Sequence, residues 1–112
     1  NDQEHLANVY SAVDVTIVPS KHEVLGLVAV ESIACGTPVA VADVGGLRET
    51  VINNSCGIVM SERTVSELSR AITSVTSSCQ QTDTEKMHAL ICDTFSVDSM
   101  ANAYLALYNE LL

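Results

Sequence analysis

The sequence has no tryptophan and few basic side chains, with five lysines and arginines against fourteen aspartates and glutamates. The formal net charge of -9 opposes non-specific attraction to nucleic acid and to anionic membrane surfaces. We therefore expect neither partner for this segment. A phosphorylated ligand would need a local binding device such as a helix N-terminus, because the overall field repels it.

The cysteines are few and widely spaced, with no C-x-x-C pair among Cys35, Cys56, Cys79 and Cys92. We therefore expect reduced thiols and no zinc site, as in a cytoplasmic protein. The apolar runs also fall short of the roughly 18 residues that a membrane span needs. Because the chain begins Asn-Asp-Gln-Glu without a methionine, we expect a processed protein or a piece of a longer one, and we adopt the second interpretation.

The composition, with 47% hydrophobic and 17% charged residues over 112 positions, predicts a single folded domain over residues 1–112. Short β-branched segments alternate with helical patterns along this domain. Strands are predicted at 13–18, 39–42 and 58–60. Helices are predicted at 3–12, 25–35, 47–52, 64–75, 84–93 and 97–112. This order predicts an α/β fold, a partial Rossmann-like parallel sheet with helices on both faces.

Three predictions of burial and ligand position follow from this fold. We expect the strand at 13–18 to be buried on both faces and the apolar helix at 25–35 to be buried on nearly all sides. The last helix carries one apolar stripe: Met100, Tyr104, Leu107 and Leu111. Ligands of parallel sheets bind beyond the carboxyl ends of the strands, so three loops are candidate sites: 19–26, 43–46 and 61–63.

Two glutamates between the first and second strands carry the strongest chemical signal. Glu23 follows a strand and precedes a helix whose first N–H groups would be free, where a polar ligand would dock. Glu31 lies inside an otherwise apolar helix, where a carboxylate is costly unless it faces solvent, pairs or accepts hydrogen bonds from a ligand. A surface or capping position for Glu23, and a water-facing position for Glu31, are the structural alternatives.

The glutamates belong to a longer pattern, in which seven residues separate Glu23 from Glu31. The flanking features are Ser20, Gly26, Ala34-Cys35-Gly36-Thr37-Pro38 and Asp43-Val44-Gly45-Gly46-Leu47-Arg48-Glu49. This pattern closely resembles the nucleotide-sugar signature of retaining GT-B glycosyltransferases, in the glycosyl transferases group 1 family. The resemblance covers essentially the whole chain. It implies the later part of the C-terminal, donor-binding domain, closed by the helices of residues 84–112.

The resemblance also implies roles for individual residues. Glu23 would be the catalytic-site residue that orients the donor by hydrogen-bonding hydroxyls of its sugar, without acting as an acid or base. Backbone N–H groups near Leu25, Gly26 and Leu27 would meet the sugar or the diphosphate. Glu31 would accept both ribose hydroxyls of the nucleotide, since an ionised carboxylate offers two acceptor oxygens to a vicinal diol.

Other residues near the candidate loops have less specific interpretations. Gly45 and Gly46 either let the donor approach the backbone or form a tight strand-to-helix turn. We expect the cations Lys21, Arg48 and Arg63 to be surface residues rather than diphosphate ligands. The sequence shows no recognisable Ser-His-Asp or Cys-His arrangement, so hydrolase chemistry has no positive support.

The implied function belongs to the longer protein. It would transfer a sugar from a nucleoside-diphosphate sugar to an acceptor hydroxyl with retention, using no cofactor and no active-site metal. Its acceptor domain would lie N-terminal to this chain, and the protein would be cytoplasmic, either free or docked at the cytosolic face of a membrane. The alternative is a non-catalytic nucleotide-binding or partner-packing domain. A sugar-nucleotide epimerase or a glycan phosphorylase is the enzymatic rival.

Overall fold

A computed structural model describes residues 2–54, 56–78 and 83–112 of the chain. The predicted strands and helices are all found within these ranges, with small differences at their ends. The elements are α1 (Asp2–Ser11), β1 (Thr16–Val18), α2 (Leu27–Ala34), β2 (Val39–Ala42), α3 (Leu47–Asn54), β3 (Gly57–Met60), α4 (Val65–Ser78), α5 (Thr84–Phe95) and α6 (Val97–Leu111). Cys79 lies outside the described residues.

The three strands form a parallel sheet in the order β1-β2-β3. Thr16 pairs with Val39 at the first ladder, and Val39 pairs in turn with Gly57 at the second. A parallel pair needs a crossover, and α2 and α3 supply the two crossovers. The predicted α/β fold with a parallel sheet is confirmed.

The alternation of side chains along β2 divides the core into two layers, because successive residues of a strand point to opposite faces. Val39 and Val41 pack in the cluster that includes buried residues of α2, α3 and α5. Ala40 and Ala42 pack on the other face against Ala71 and other buried residues of α4 and β3. The small alanines therefore face the single helix α4, and helices cover both faces as predicted.

The predicted burial of the first strand on both faces is wrong. Ile17, in the middle of β1, is 37% exposed, whereas Ala40, its partner in β2, is fully buried. The reason is position: β1 lies at one end of the sheet within the described residues, and α4, which covers the face that Ile17 shares with Ala40, packs against β2 and β3. A β-branched run predicts a strand but does not say whether that strand is central.

The helix predicted at 25–35 is also less buried than expected. Ala29 and Ile33 are fully buried in α2, but Leu27 is 61% exposed. The helices α1 and α5 contact α2 toward its C-terminal end, where Tyr10 meets Glu31 and the His88 ring contacts the last turn. The N-terminal turn of α2 therefore presents apolar side chains to solvent.

The last helix, α6, has its predicted apolar stripe, and that stripe is exposed. Met100, Tyr104, Leu107 and Leu111 are all at least 48% exposed, and no residue of α6 is buried. Ser96 caps the N-terminus of α6, since its Oγ accepts from the N–H of Ser99. Its packing is chiefly against α5, away from the sheet. The molecule is correspondingly elongated, at 52 × 30 × 27 Å.

Candidate functional site

The first candidate loop ends where Gly26 caps the N-terminus of α2. Gly26 adopts φ 80°, a left-handed conformation that favours glycine, and its carbonyl accepts from the N–H of Ala29 at 2.9 Å. The N–H groups of the first helical turn, at Leu27 and Val28, precede the intrahelical ladder. A Cβ at Gly26 would overlap the side chain of buried Leu47 on α3. Glycine here therefore lets α2 begin in contact with α3.

Glu23 is half-buried in this first loop, and its Oε1 accepts from the N–H of Val24 at 3.2 Å. The second loop packs directly on this segment, since the N–H of Gly46 donates to the Val24 carbonyl at 2.7 Å. Gly45 has φ 53°, and a Cβ there would overlap the Glu23 carbonyl. The glycine pair thus has a structural task, which is to bring the second loop against the loop that carries Glu23.

A bidentate ion pair lies beside these glycines. Arg48 Nε donates to Asp43 Oδ1 at 2.7 Å, and Arg48 Nη2 contacts the other carboxylate oxygen, Oδ2. The guanidinium lowers the pKa of Asp43 below its usual range, and the carboxylate raises the pKa of Arg48. Arg48 is therefore already paired, in keeping with its expected surface role, and Lys21 and Arg63 are exposed.

Glu31 projects from the exposed side of α2 and has one partner that the sequence did not predict. The hydroxyl of Tyr10, in the last turn of α1, donates to Glu31 Oε2 at 3.0 Å. Tyr10 is buried, with 8% of its surface exposed. Burial, followed by the hydrogen bond and the negative charge of Glu31, raises the pKa of Tyr10 to about 12. The carboxylate is thus accessible on one side and hydrogen-bonded on the other.

A pocket of about 270 Å³ lies between α1 and α2 beside this pair. Its walls are mostly apolar, from Leu6, Ala7, Ala34 and Cys35, and its polar groups include Tyr10 and Glu31. Burial, followed by the Glu31 charge, raises the pKa of the Cys35 thiol. Cys35 is therefore a neutral lining group. The carboxylate is positioned to accept hydrogen bonds from a ligand seated here.

The third candidate loop, residues 61–63, is bound to its own helix. Ser61 donates through its N–H and its hydroxyl to Glu67 Oε1, and Arg70 forms an ion pair with the same carboxylate. The hydrogen bond from Arg70, together with those from Ser61, lowers the pKa of Glu67 to about 2. Thr64 Oγ1 accepts from the Glu67 N–H and caps α4. These contacts give the loop a structural role.

The structure brings together one Cys-His pair that the sequence analysis did not recognise. Cys92 Sγ lies 3.4 Å from His88 Nε2 on α5, and His88 Nδ1 lies 2.9 Å from the Ala34 carbonyl. Since a carbonyl only accepts, Nδ1 carries the proton and Nε2 faces the thiol. The spacing of four residues on a predicted helix was the available signal. Both residues are exposed and line no part of the α1–α2 pocket.

Comparison with known proteins identifies the family of this chain. The family model described as "Glycosyl transferases group 1" matches residues 1–104. The chain belongs to the glycosyl transferases group 1 family. The predicted family is therefore confirmed. Among the described residues, no helix is long and apolar enough to cross a membrane.

Relatives and a solved structure agree with membership of the group 1 family. A D-inositol 3-phosphate glycosyltransferase of Geodermatophilus obscurus is 40% identical over 96% of this chain and 24% of its own length. One of the same name from Streptosporangium roseum is 57% identical over 52% of this chain. The structure of sucrose-phosphate synthase from Thermosynechococcus elongatus matches with a TM-score of 0.80 and 35% identity, over 96% of this chain and 28% of that one. The matched segments cover 13% of the Streptosporangium protein, 24% of the Geodermatophilus protein and 28% of the synthase, so the chain spans about a quarter or less of each.

Proposed function

We propose that this chain is the donor-binding part of a glycosyltransferase that moves a sugar from a nucleoside-diphosphate sugar to an acceptor hydroxyl, with retention. The observation that carries the proposal is the placement of Glu31. Its carboxylate borders a pocket beside the C-terminal half of α2, and the N-terminus of the same helix lies at the carboxyl end of β1. One short helix therefore links the pocket to the carboxyl edge of the sheet. Ligands of parallel α/β sheets bind at that edge.

The N-terminus of α2 supplies the site for the diphosphate. Backbone N–H groups at Leu25, Gly26 and Leu27 would meet the phosphates or the sugar, and the helix dipole favours negative charge there. This local device is needed because the chain as a whole carries a charge of -9. Glu23, fixed by the second loop, would accept hydrogen bonds from sugar hydroxyls and orient the donor.

The pocket between α1 and α2 takes the nucleoside end of the donor. Glu31 Oε2 is held by Tyr10, which leaves Oε1 and the remaining lone pairs to accept from the ribose hydroxyls. The apolar walls at Leu6 and Ala34 suit the adjoining faces of the nucleoside. A single carboxylate that accepts from a vicinal diol explains why a charged residue stands in this apolar helix.

Electrostatic stabilisation of the leaving diphosphate is the proposed source of catalysis. The N–H groups at the start of α2 face the position where negative charge develops, so they stabilise the departing group more than the bound donor. Retention follows if the acceptor hydroxyl attacks on the face that the diphosphate leaves. The longer protein would supply the acceptor-binding domain, and we infer no cofactor or active-site metal.

Nucleotide binding is the first test. Backbone NMR spectra of the isotope-labelled chain should shift around Glu31 and Gly26 on titration with UDP, GDP or ADP. Glu31→Ala should abolish the shifts at the α1–α2 pocket. Glu49→Ala, which removes an exposed carboxylate from α3, is the matched control and should respond as wild type does.

Sugar transfer is tested on the natural form of the protein, using nucleoside-diphosphate sugars of the base that binds. Product stereochemistry at the anomeric carbon, read by NMR, should show retention. Inversion would overturn the proposed mechanism, and absence of nucleotide binding would overturn the proposed function.

The exposed apolar stripe of α6 favours one second candidate, a partner-packing role. Capture of a partner by wild type but not by Tyr104→Glu, without nucleotide binding, would support that role.

A further inference from the structure

We propose that Tyr10 is a positioning residue that holds the Glu31 carboxylate in the orientation that accepts the ribose hydroxyls. The inference rests on the proposed function, because it assigns to Glu31 the ribose-binding role argued above. The observation that supports it does not depend on that role: the hydroxyl of buried Tyr10 donates to one carboxylate oxygen of exposed Glu31 at 3.0 Å. The proposed effect of the Tyr10 hydroxyl on the ribose is exerted through Glu31.

Tyr10 is well placed for this task because it is fixed at both ends. Its carbonyl accepts from Thr37 Oγ1 at 2.6 Å, and the Thr37 carbonyl accepts from Ser32 Oγ at 2.9 Å. Ser32 and Thr37 are both buried, and Ser32 belongs to α2. The backbone of Tyr10 is therefore joined to the same helix that carries Glu31. The phenol closes the second connection between α1 and α2.

A free glutamate on a helix surface samples several rotamers, and ordering them on ligand binding costs free energy. The Tyr10 hydroxyl lowers this free-energy cost because it orders the Glu31 carboxylate before the ligand binds, by selecting the rotamers in which Oε2 points toward α1. The negatively charged oxygen is an acceptor only, so Tyr10 must donate, and the other lone pairs of the carboxylate stay available to the ribose hydroxyls. The remaining acceptor sites of Glu31 then face the pocket together.

The test compares ribonucleotides with their 2′,3′-dideoxy forms, which lack both hydroxyls that Glu31 would bind. We use the natural form of the protein and whichever of UDP, GDP and ADP binds it. Tyr10→Phe keeps the ring and removes the hydroxyl, and Tyr104→Phe on α6 is the matched control. Isothermal titration should show that Tyr10→Phe weakens ribonucleotide binding about three- to tenfold. Dideoxynucleotide binding should be unchanged, and Tyr104→Phe should resemble wild type for both.

The outcomes separate the inference from the proposed function. If wild type binds no nucleotide, or binds both forms equally, the ribose role of Glu31 fails and the inference fails with it. If wild type binds the ribonucleotide more tightly than the dideoxynucleotide and Tyr10→Phe keeps the same ratio of affinities, only the positioning role fails. If Tyr10→Phe lowers the affinity for the ribonucleotide and the dideoxynucleotide by the same factor, Tyr10 has a merely structural role.

A measurement on the wild-type protein covers the case in which Tyr10→Phe does not fold. The ¹³Cζ resonance of Tyr10 reports the hydrogen bond of its hydroxyl. It should shift on addition of the ribonucleotide, because the Glu31 carboxylate then shares its charge with a second set of donors. The dideoxynucleotide should cause a much smaller shift. A resonance that responds equally to the two nucleotides, or to neither, overturns the positioning role.

Discussion

The N–H of Gly46 donates to the carbonyl of Val24 at 2.7 Å, and this hydrogen bond joins the loop after β2 to the loop after β1. The two loops belong to adjacent parallel strands, so their carboxyl ends lie at the same edge of the sheet. A side chain at position 45 would overlap the backbone of Glu23. The position of Glu23 thus depends on a residue that has no side chain.

We predict that Gly45→Ala destabilises the protein and moves the first loop. The residue adopts φ 53°, which strains alanine, and the added Cβ overlaps the Glu23 carbonyl. The free energy of unfolding, measured in urea, should fall by about 1–3 kcal/mol. The amide resonances of Glu23 and Val24 should shift more than those of Ala71, in the core on the α4 face.

Gly45→Asn distinguishes the two causes, since asparagine tolerates positive φ better than alanine does. If the close approach dominates, Asn should be no less destabilising than Ala. Stabilities of both variants within about 0.5 kcal/mol of wild type, a range typical of neutral surface changes, would contradict the interpretation.

The raised pKa of Tyr10 predicts that the free energy of unfolding falls at high pH. Because the folded-state pKa, about 12, lies above the ordinary value of 10.0, stability is full below pH 10 and is lost as the pH rises toward 12. Each pKa unit corresponds to about 1.4 kcal/mol, so the loss is of order 2 kcal/mol. Urea unfolding between pH 9 and 12 measures it.

Tyrosine-to-phenylalanine variants isolate the Tyr10 contribution from other groups that titrate at high pH. Tyr10→Phe should be less stable than wild type at pH 9 and should lose less stability between pH 10 and 12. Tyr104→Phe, at an exposed position, should follow the wild-type curve. Parallel curves for wild type and Tyr10→Phe would contradict the raised pKa of Tyr10, which burial and the Glu31 hydrogen bond produce together.

The sequence predicted the parallel sheet, the family and the position of Glu31, because each depends on local pattern. The run at 39–42 is apolar at every position, as expected for a central strand, and all four residues of β2 are fully buried. Burial at the ends of the structure depends on neighbours instead. Ile17 in β1 was predicted to be buried, yet it is exposed because little packs over it within the described residues. The predicted stripe of α6, which includes Leu107, is exposed for the same reason.

The candidate site shows the same division between local and tertiary information. Glu23 and Glu31 were identifiable from spacing and flanking glycines, but their partners were not. Tyr10 lies 21 residues before Glu31. Nothing in the periodicity of α1 distinguishes a tyrosine that only packs from one that also donates to a carboxylate on the next helix. That pairing depends on how α1 crosses α2, which is set by tertiary packing.

Glu67 provides a second pH prediction, with the opposite sign. Its folded-state pKa, about 2, lies below the ordinary value of 4.5, chiefly because Arg70 donates to its carboxylate. The stabilisation it provides is therefore present above pH 4.5 and is lost as the pH falls toward 2. Carboxyl ¹³C NMR should show Glu67 ionised at pH 3.5. Arg70→Gln should raise the pKa of Glu67. Arg63→Gln, at an exposed position in the loop that precedes α4, should not.

The two thiols that flank the α2–α5 contact should differ in reactivity. Burial and the Glu31 charge raise the pKa of Cys35, and the thiolate is the reactive form, so its alkylation by iodoacetamide at pH 7.5 should be slow. Cys92 is exposed beside His88 and should react at least about tenfold faster, as peptide mass spectrometry can measure site by site. Glu31→Gln should accelerate only Cys35, because it removes the nearby negative charge while leaving α5 intact. Glu49→Gln serves as the control. Equal acceleration by both variants would mean that Cys35 senses the net charge of the chain rather than the carboxylate in its pocket.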